Sequence, residues 1–160
     1  MCTNHKVLEG AILRTLENGR GQLERRRRAV AEVRELLARV YRGFVAWGSL
    51  YGDAEVEEEL ERRERVFALI GELTNGYAPR SLWLEEGTRK KIENFIGKSD
   101  DLRSRFCVDV DENGYEKVRP AIARRVSKDL RSLKKEVEIC LDDELAGPRQ
   151  SRWRRKILRG

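Results

Sequence analysis

The chain has 160 residues, of which 39% are charged, 39% are apolar and only three are proline, a composition typical of one helical domain with solvated faces. Its three cysteines are an odd number without close spacing, which argues against a disulfide framework or a zinc knuckle and favours a reducing, cytoplasmic compartment. We expect neither secretion nor a transmembrane segment, because the sequence lacks the apolar core of a signal peptide and any uncharged run near the ~20 residues that cross a bilayer.

An apolar residue at every seventh position organises the first third of the chain. The series runs through residues 16–51, and Val33, Val40 and Trp47 follow three residues after its later members. Because a helix has 3.6 residues per turn, this spacing places the side chains on one stripe. It predicts a long first helix whose stripe packs on other helices. Residues 18–21, Asn-Gly-Arg-Gly, leave open whether that helix is continuous or breaks there.

A second helix is predicted to begin after Asp53 as its N-cap and to end at residues 74–76, Thr-Asn-Gly. The connection that follows contains Pro79 and is predicted to be non-helical, but its four large apolar residues indicate that it presses onto the core. A third helix is predicted from about Glu85. The residues that it buries are Thr88, Ile92, Phe95, Ser99, Leu102 and Phe106.

The segment 107–118 alternates apolar and polar residues around Asn113-Gly114. This pattern predicts a short β-hairpin or, equally, an irregular loop. A last helix is predicted to start at Arg119-Pro120 and to end at Gly147-Pro148. Its buried residues are Ile122, Val126, Leu130, Leu133, Val137, Cys140, Leu141 and Leu145.

These elements predict an all-α fold, an antiparallel bundle of about four helices with a long first helix and a basic C-terminal tail. The bundle domain spans residues 1–146, of which 1–20 form a separate N-terminal helix if the first helix breaks. The tail, 147–160, has six basic residues and no acid, whereas the body has 28 basic and 28 acidic residues, so the tail accounts for the net charge of +6.

Three segments, residues 41–48, 83–96 and 153–155, resemble uncharacterised bacterial all-helical proteins with no assigned activity. The resemblance implies an all-α fold. It implies no functional residue.

Residues 109–114 resemble the first half of an EF-hand loop, in which Asp109, Asp111 and Asn113 would supply calcium ligands. The second half does not fit, because the position of the bidentate carboxylate holds Pro120. No metal site is therefore favoured, and calcium remains a weak candidate. We also expect no cofactor, since His5 is the single histidine and no phosphate-binding glycine loop occurs.

Basic residues recur on the last helix at i, i+4, i+7 and i+11. This stripe could contact nucleic acid or another anionic surface, as could a run of four arginines at 25–28. A solvated helix face has the same appearance, and Asp129, Glu136 and Glu138 are interleaved with the stripe. Its members are Arg124, Lys128, Arg131 and Lys135.

The tail places Trp153 among basic residues, an arrangement that suits an anionic membrane surface, an acidic partner or stacking on RNA. The alternative is that Trp153 packs back onto the bundle while the arginines are solvated. The candidate residues are Arg152, Trp153, Arg154, Arg155 and Lys156.

The sequence favours a non-catalytic helical protein that acts through protein–protein contact, with a homodimer as one form, because the first helix is longer than its partners. The alternative is a protein that binds nucleic acid or an anionic surface through the stripe and the tail. A second alternative is an enzyme whose carboxylate or basic site cannot be identified from the sequence.

Overall fold

A computed structural model describes the backbone of residues 3–49 and 56–157 and the side chains of residues 19–49 and 57–146. All of its regular elements are helical, so the all-α prediction is confirmed. They are α1 (Thr3–Gly48), α2 (Val56–Arg80), a 3₁₀ turn (Ser81–Trp83), α3 (Glu86–Asn113), α4 (Tyr115–Arg125), a π turn (Val126–Leu130) and α5 (Arg131–Ile157). Because α4, the π turn and α5 follow one another without interruption, the bundle has four rods. No helix in the described ranges carries an apolar stretch long enough to cross a membrane.

Neighbouring rods run antiparallel. The contacts across each seam occur in opposite order along the two rods. They are Trp47 with Glu59 and Arg39 with Glu72 between α1 and α2, Arg63 with Asp111 and Tyr77 with Glu93 between α2 and α3, and Lys91 with Glu136 between α3 and α5, where the main-chain N–H of Glu85, the residue before α3, also donates to Glu144.

The predicted stripe of α1 forms the centre of the core. From Val30 to Trp47 its heptad members are at most 1% exposed, and the predicted buried residues of α3 are buried as well. The Trp47 ring packs edge-on against Phe106 at 5.9 Å between centroids and lies 6.3 Å from Phe44. The spacing rule therefore identified this part of the core correctly.

The first helix passes through Gly19 and Gly21 without a break, so the continuous alternative holds. At about 1.5 Å per residue, its 46 residues span about 69 Å. Among the described side chains of α1, which start at residue 19, the first buried one is Ala29, and Leu23, although it belongs to the heptad series, is 43% exposed. Side chains before residue 19, including Leu16, lie outside the described residues.

The predicted end of the second helix at residues 74–76 is wrong, since α2 continues to Arg80 and includes Pro79. Gly76 allows α2 to pack closely against α1, because a Cβ at this position would lie 2.7 Å from Leu36 Cδ1. Pro79 falls in the last turn, and the guanidinium of Arg80 donates to the Gly76 carbonyl, which satisfies one of the terminal acceptors. The proposed Asp53 cap lies outside the described residues.

The prediction that the four large apolar residues of the connection around Pro79 pack onto the core is partly correct. Tyr77 and Leu84 are buried, but Leu82 is 78% exposed and Trp83 is half-buried in the 3₁₀ turn.

Both alternatives predicted for residues 107–118, a hairpin and an irregular loop, are wrong. Helix α3 runs to Asn113, and Gly114 is the single break before α4. Gly114 has φ +81°, a conformation that glycine adopts readily, and its N–H donates to the Val110 carbonyl at 2.8 Å. The Asn-Gly pair thus ends a helix here, whereas the same pair in a strand pattern would turn a hairpin.

The predicted bounds of the last helix are also wrong at both ends. It begins at Tyr115, so that Pro120 lies inside α4, and α5 continues through Gly147 and Pro148 to Ile157. A proline removes one main-chain hydrogen bond, and both helices continue past that loss.

Candidate nucleic-acid interface

The rod made of α4, the π turn and α5 carries a set of exposed cations, which we call the basic face. Four of them were predicted from spacing, and the fifth, Arg125, was not. Within the part of the chain whose side chains are described, none of the five forms an ion pair. The basic face consists of Arg124, Arg125, Lys128, Arg131 and Lys135.

Most cations of the neighbouring helix α3 are held by carboxylates. Every lysine and arginine of α3 between residues 90 and 105 is paired with an acid, either on α3 itself or on α5. The pairs are Lys90–Glu86, Lys91–Glu136, Lys98–Asp101, Arg103–Asp100 and Arg105–Asp101. The unpaired state of the basic face is therefore not the general state of this surface.

The acids interleaved with the basic face form no ion pair with its five described cations. Glu136 binds Lys91 of α3, and Glu138 accepts from Lys134 in an i, i+4 pair. Asp129 is half-buried. The interleaved acids therefore do not neutralise the basic face by direct pairing.

The π turn explains how this rod keeps one side in the core. Val118, Ile122, Val126 and Leu130 are all buried at intervals of four. In a regular α-helix each interval of four overshoots a full turn by about 40°, so the third step would drift by about 120°. The Arg131 N–H instead bonds to the Val126 carbonyl five residues back, and the wider turn returns Leu130 to the core.

The same turn alters the predicted stripe. The extra residue in the turn rotates Arg131 and Lys135 relative to Arg124, by up to about 100°. The basic face is consequently a broad band on the outer side of the rod, not the straight line that regular helical spacing predicted. The sequence signal for the π turn was the series of three successive four-residue intervals between apolar residues 118, 122, 126 and 130, and it was not recognised in the sequence.

No large apolar side chain is exposed between residues 115 and 135. A helix that lies in a lipid interface inserts an apolar face beside its cations. The basic face instead has small neighbours such as Ala121, Ala123, Ser127 and Ser132. This surface suits phosphate groups displayed on a rigid polymer better than a membrane.

The arginine run at 25–28 makes contacts within the bundle. Arg25 stacks on the Trp83 ring at 5.2 Å, and Arg26 lies 3.6 Å from the buried carboxylate of Glu144. Arg28 donates to Glu32, which lowers the pKa of that carboxyl because Arg28 and Arg80 both supply hydrogen bonds to its charged form. Most of this run therefore stabilises the packing of α1.

The weak calcium candidate lies on the last turns of α3. Asp111 accepts from Arg63 of α2 at 2.8 Å, and the Asn113 amide donates to the Asp109 carbonyl at 3.2 Å. A helix points these side chains in different directions, whereas an EF-hand wraps them round one ion. Among the described residues, no group of three or more His, Cys, Asp or Glu side chains is arranged to hold a metal ion.

The tail candidates, Arg152 to Lys156, belong to the helical backbone of α5, but their side chains lie outside the described residues. The structure therefore does not place them relative to the basic face.

The marked pKa shifts occur at packing contacts. Burial and a hydrogen bond to Glu93 raise the pKa of Tyr77 to about 12, and burial raises the pKa of the Cys107 thiol. Neither residue lies on the rod that carries the basic face.

Comparison with protein-family models, with curated proteins and with solved structures gives no match to this chain.

Proposed function

We propose that this protein binds the phosphate backbone of duplex nucleic acid through the basic face. The observation that carries the proposal is the contrast between five exposed cations without an ion pair on one rod and the paired cations of α3 between residues 90 and 105. An unpaired cation gives up no intramolecular contact when it meets a phosphate. It also releases the condensed counterion of that phosphate, which is the main source of sequence-independent affinity.

Duplex is favoured over single-stranded nucleic acid because proteins that bind single strands stack bases on exposed aromatic rings. Among the side chains of this rod that the structure describes, residues 115–146, the one aromatic ring is that of Tyr115, which is half-buried and whose hydroxyl donates to the Trp47 carbonyl. The distance from Arg124 to Lys135 along the rod is about 17 Å, the rise of about five base pairs. Such a surface positions a protein on a duplex without reading its sequence.

The test compares two triple variants of equal charge by fluorescence anisotropy with a labelled duplex. The first, Arg124→Gln/Lys128→Gln/Arg131→Gln, removes three cations of the basic face. The control, Arg28→Gln/Lys90→Gln/Arg105→Gln, removes three exposed cations that are ion-paired. Glutamine is a good helix former, so neither variant should disturb the fold.

We expect the unaltered protein to lose affinity steeply between about 50 and 200 mM salt, with a log–log slope of up to about −4.5 for five contacts. The basic-face variant should reduce the magnitude of that slope by up to about 3 and weaken binding at least tenfold, and the control should change it by less than twofold. Equal losses in both variants would mean that only net charge matters. Absence of duplex binding at low salt would refute the proposal.

Self-association through the N-terminal part of α1, before the first buried residue Ala29 of the described range, is a second candidate function. It is supported by the continuous helix and by the exposure of Leu23 outside the core. A second copy could pair with this heptad series. In sedimentation velocity, Leu23→Gln should weaken association about tenfold, whereas Val45→Gln, at an equally exposed apolar residue beside the bundle, should not. A strict monomer at all concentrations would exclude this candidate.

A further inference from the structure

A groove of about 380 Å³ lies between α1 and α2. The helices approach each other closely at Gly43, where a Cβ would lie 2.8 Å from Leu69 Cδ1. Leu69 and Ala46 give the groove apolar lining, Glu35 adds one carboxylate, and each helix contributes two guanidinium groups. The four arginines are Arg39 and Arg42 from α1 and Arg62 and Arg65 from α2.

Three of these arginines form ion pairs that are weak because they are exposed to solvent. Arg39 pairs with Glu72 and Arg42 with Glu35, both at 2.8 Å, and Arg62 lies 3.6 Å from Glu58. All six side chains are more than one-third exposed, so each pair contributes little to stability and can exchange its partner.

Arg65 differs from the other three. It lines the groove, is exposed, and has no ion pair with any residue whose side chain is described. The groove therefore holds one unpaired guanidinium beside three that are loosely held.

We propose that this groove binds a small polyphosphate anion. A guanidinium presents a planar fork of donors that matches two phosphoryl oxygens, and such charge-assisted pairs are stronger than neutral hydrogen bonds. Four forks that approach from two helices can engage two or three linked phosphoryl groups together. A groove of this volume lies within the range of small-ligand sites.

This site is independent of the basic face, because α1 and α2 contribute no cation to that face. It would give the protein a binding activity for a soluble metabolite in addition to nucleic acid. The phosphoryl chemistry could come from inorganic polyphosphate or from a nucleoside polyphosphate, and separate titrations with each distinguish the two sources.

The test is calorimetric titration of the full chain with inorganic tripolyphosphate, with ATP and with citrate. The groove variant is Arg42→Gln/Arg65→Gln, and the matched control of equal charge is Lys90→Gln/Arg105→Gln, which removes two exposed, ion-paired cations of α3 outside the groove and the basic face. A conservative variant, Arg42→Lys/Arg65→Lys, keeps the charge but loses the planar fork.

We expect one tripolyphosphate per chain, an affinity at least tenfold weaker in the groove variant, a change below twofold in the control, and an intermediate loss with lysine. ATP binding that is tighter and equally dependent on the arginines supports a nucleotide, and equal affinity supports the inorganic anion. The proposal is overturned if citrate binds as tightly as tripolyphosphate, if both glutamine variants lose affinity equally, or if tripolyphosphate does not bind.

Discussion

The ammonium group of Lys91 lies 2.5 Å from the Glu136 carboxylate and thereby links α3 to α5. The hydrogen bond and the charge of Glu136 raise the pKa of Lys91. Glu136 follows Lys135 directly in the sequence, but its carboxylate is held by another helix. A pairing between two rods thus keeps one acid away from the basic face.

Replacing Lys91 should therefore weaken duplex binding even though Lys91 is not a member of the basic face. In Lys91→Gln the Glu136 carboxylate is released and can approach the cations of α5, so we expect a loss of affinity of about two- to threefold at low salt. Lys90→Gln removes the same charge one residue away, where the partner is Glu86 of the same helix, and should have a smaller effect. Indistinguishable affinities for the two variants would contradict this role of Glu136.

Alanine substitution should have opposite effects on stability at two glycines, one inside α3 and one directly after it. Gly97 lies inside α3 with open space at its Cβ position, so Gly97→Ala should stabilise the protein by about 0.5–1 kcal/mol. Gly114 has a positive φ, so Gly114→Ala should destabilise it by about 1 kcal/mol or more. Urea unfolding measures both. A neutral Gly114→Ala would mean that the junction between α3 and α4 does not need this conformation.

The Asn113-Gly114 pair was interpreted as the turn of a hairpin or as part of an irregular loop, whereas it ends helix α3. Asn-Gly favours a positive φ in either setting, and the alternation of residues 107–110 is too short to outweigh the burial of Phe106 and Val110 at an interval of four. The α1 stripe was predictable because its period repeats over many turns. The segment around Pro79 was predicted to be non-helical, but the cost of a proline is lower in the last turn of a helix than in its middle, and Pro79 falls in the last turn of α2.

The candidate site was predictable only in part. Spacing identified four members of the basic face, because their periodicity is local. Their unpaired state depends on the ion pair that Glu136 forms with Lys91 of another helix, and the width of the basic face depends on the π turn. The arginine groove combines two arginines of α1 with two arginines of α2 that lie 20 or more positions further along the chain, and no local motif marks it.

The buried contact between Trp47 and Glu59 should be a major source of stability. The indole Nε1 donates to the carboxylate at 2.9 Å, and both residues are buried. Trp47→Phe removes the donor and part of the packing, and should cost about 3 kcal/mol in the free energy of unfolding.

A double-mutant cycle separates these two contributions. In a Glu59→Leu background no carboxylate is left without its partner, so Trp47→Phe should cost at least about 1 kcal/mol less than in the unaltered protein. The same cost in both backgrounds would show that the hydrogen bond contributes nothing.

Tyr77 should make stability fall at alkaline pH. Its hydroxyl donates to Glu93 at 3.1 Å, and its pKa is raised to about 12 from an unfolded value near 10. Because the folded pKa is the higher one, the stabilisation is complete below about pH 10 and is lost as the pH rises through about 12. Tyr77→Phe lacks this contribution and controls for the lysines, which titrate in both proteins. A constant difference in unfolding free energy from about pH 8 to pH 11.5 would contradict the assignment.

Lysine acetylation in the presence and absence of a saturating duplex, read by mass spectrometry, tests the basic face most directly. Lys128 and Lys135 should be protected by the duplex, because their ammonium groups would contact phosphates. Lys90 and Lys98 of α3 should be acetylated at the same rate with and without it. Protection of the α3 lysines alone, or of no lysine while the duplex is bound, would contradict the proposed interface.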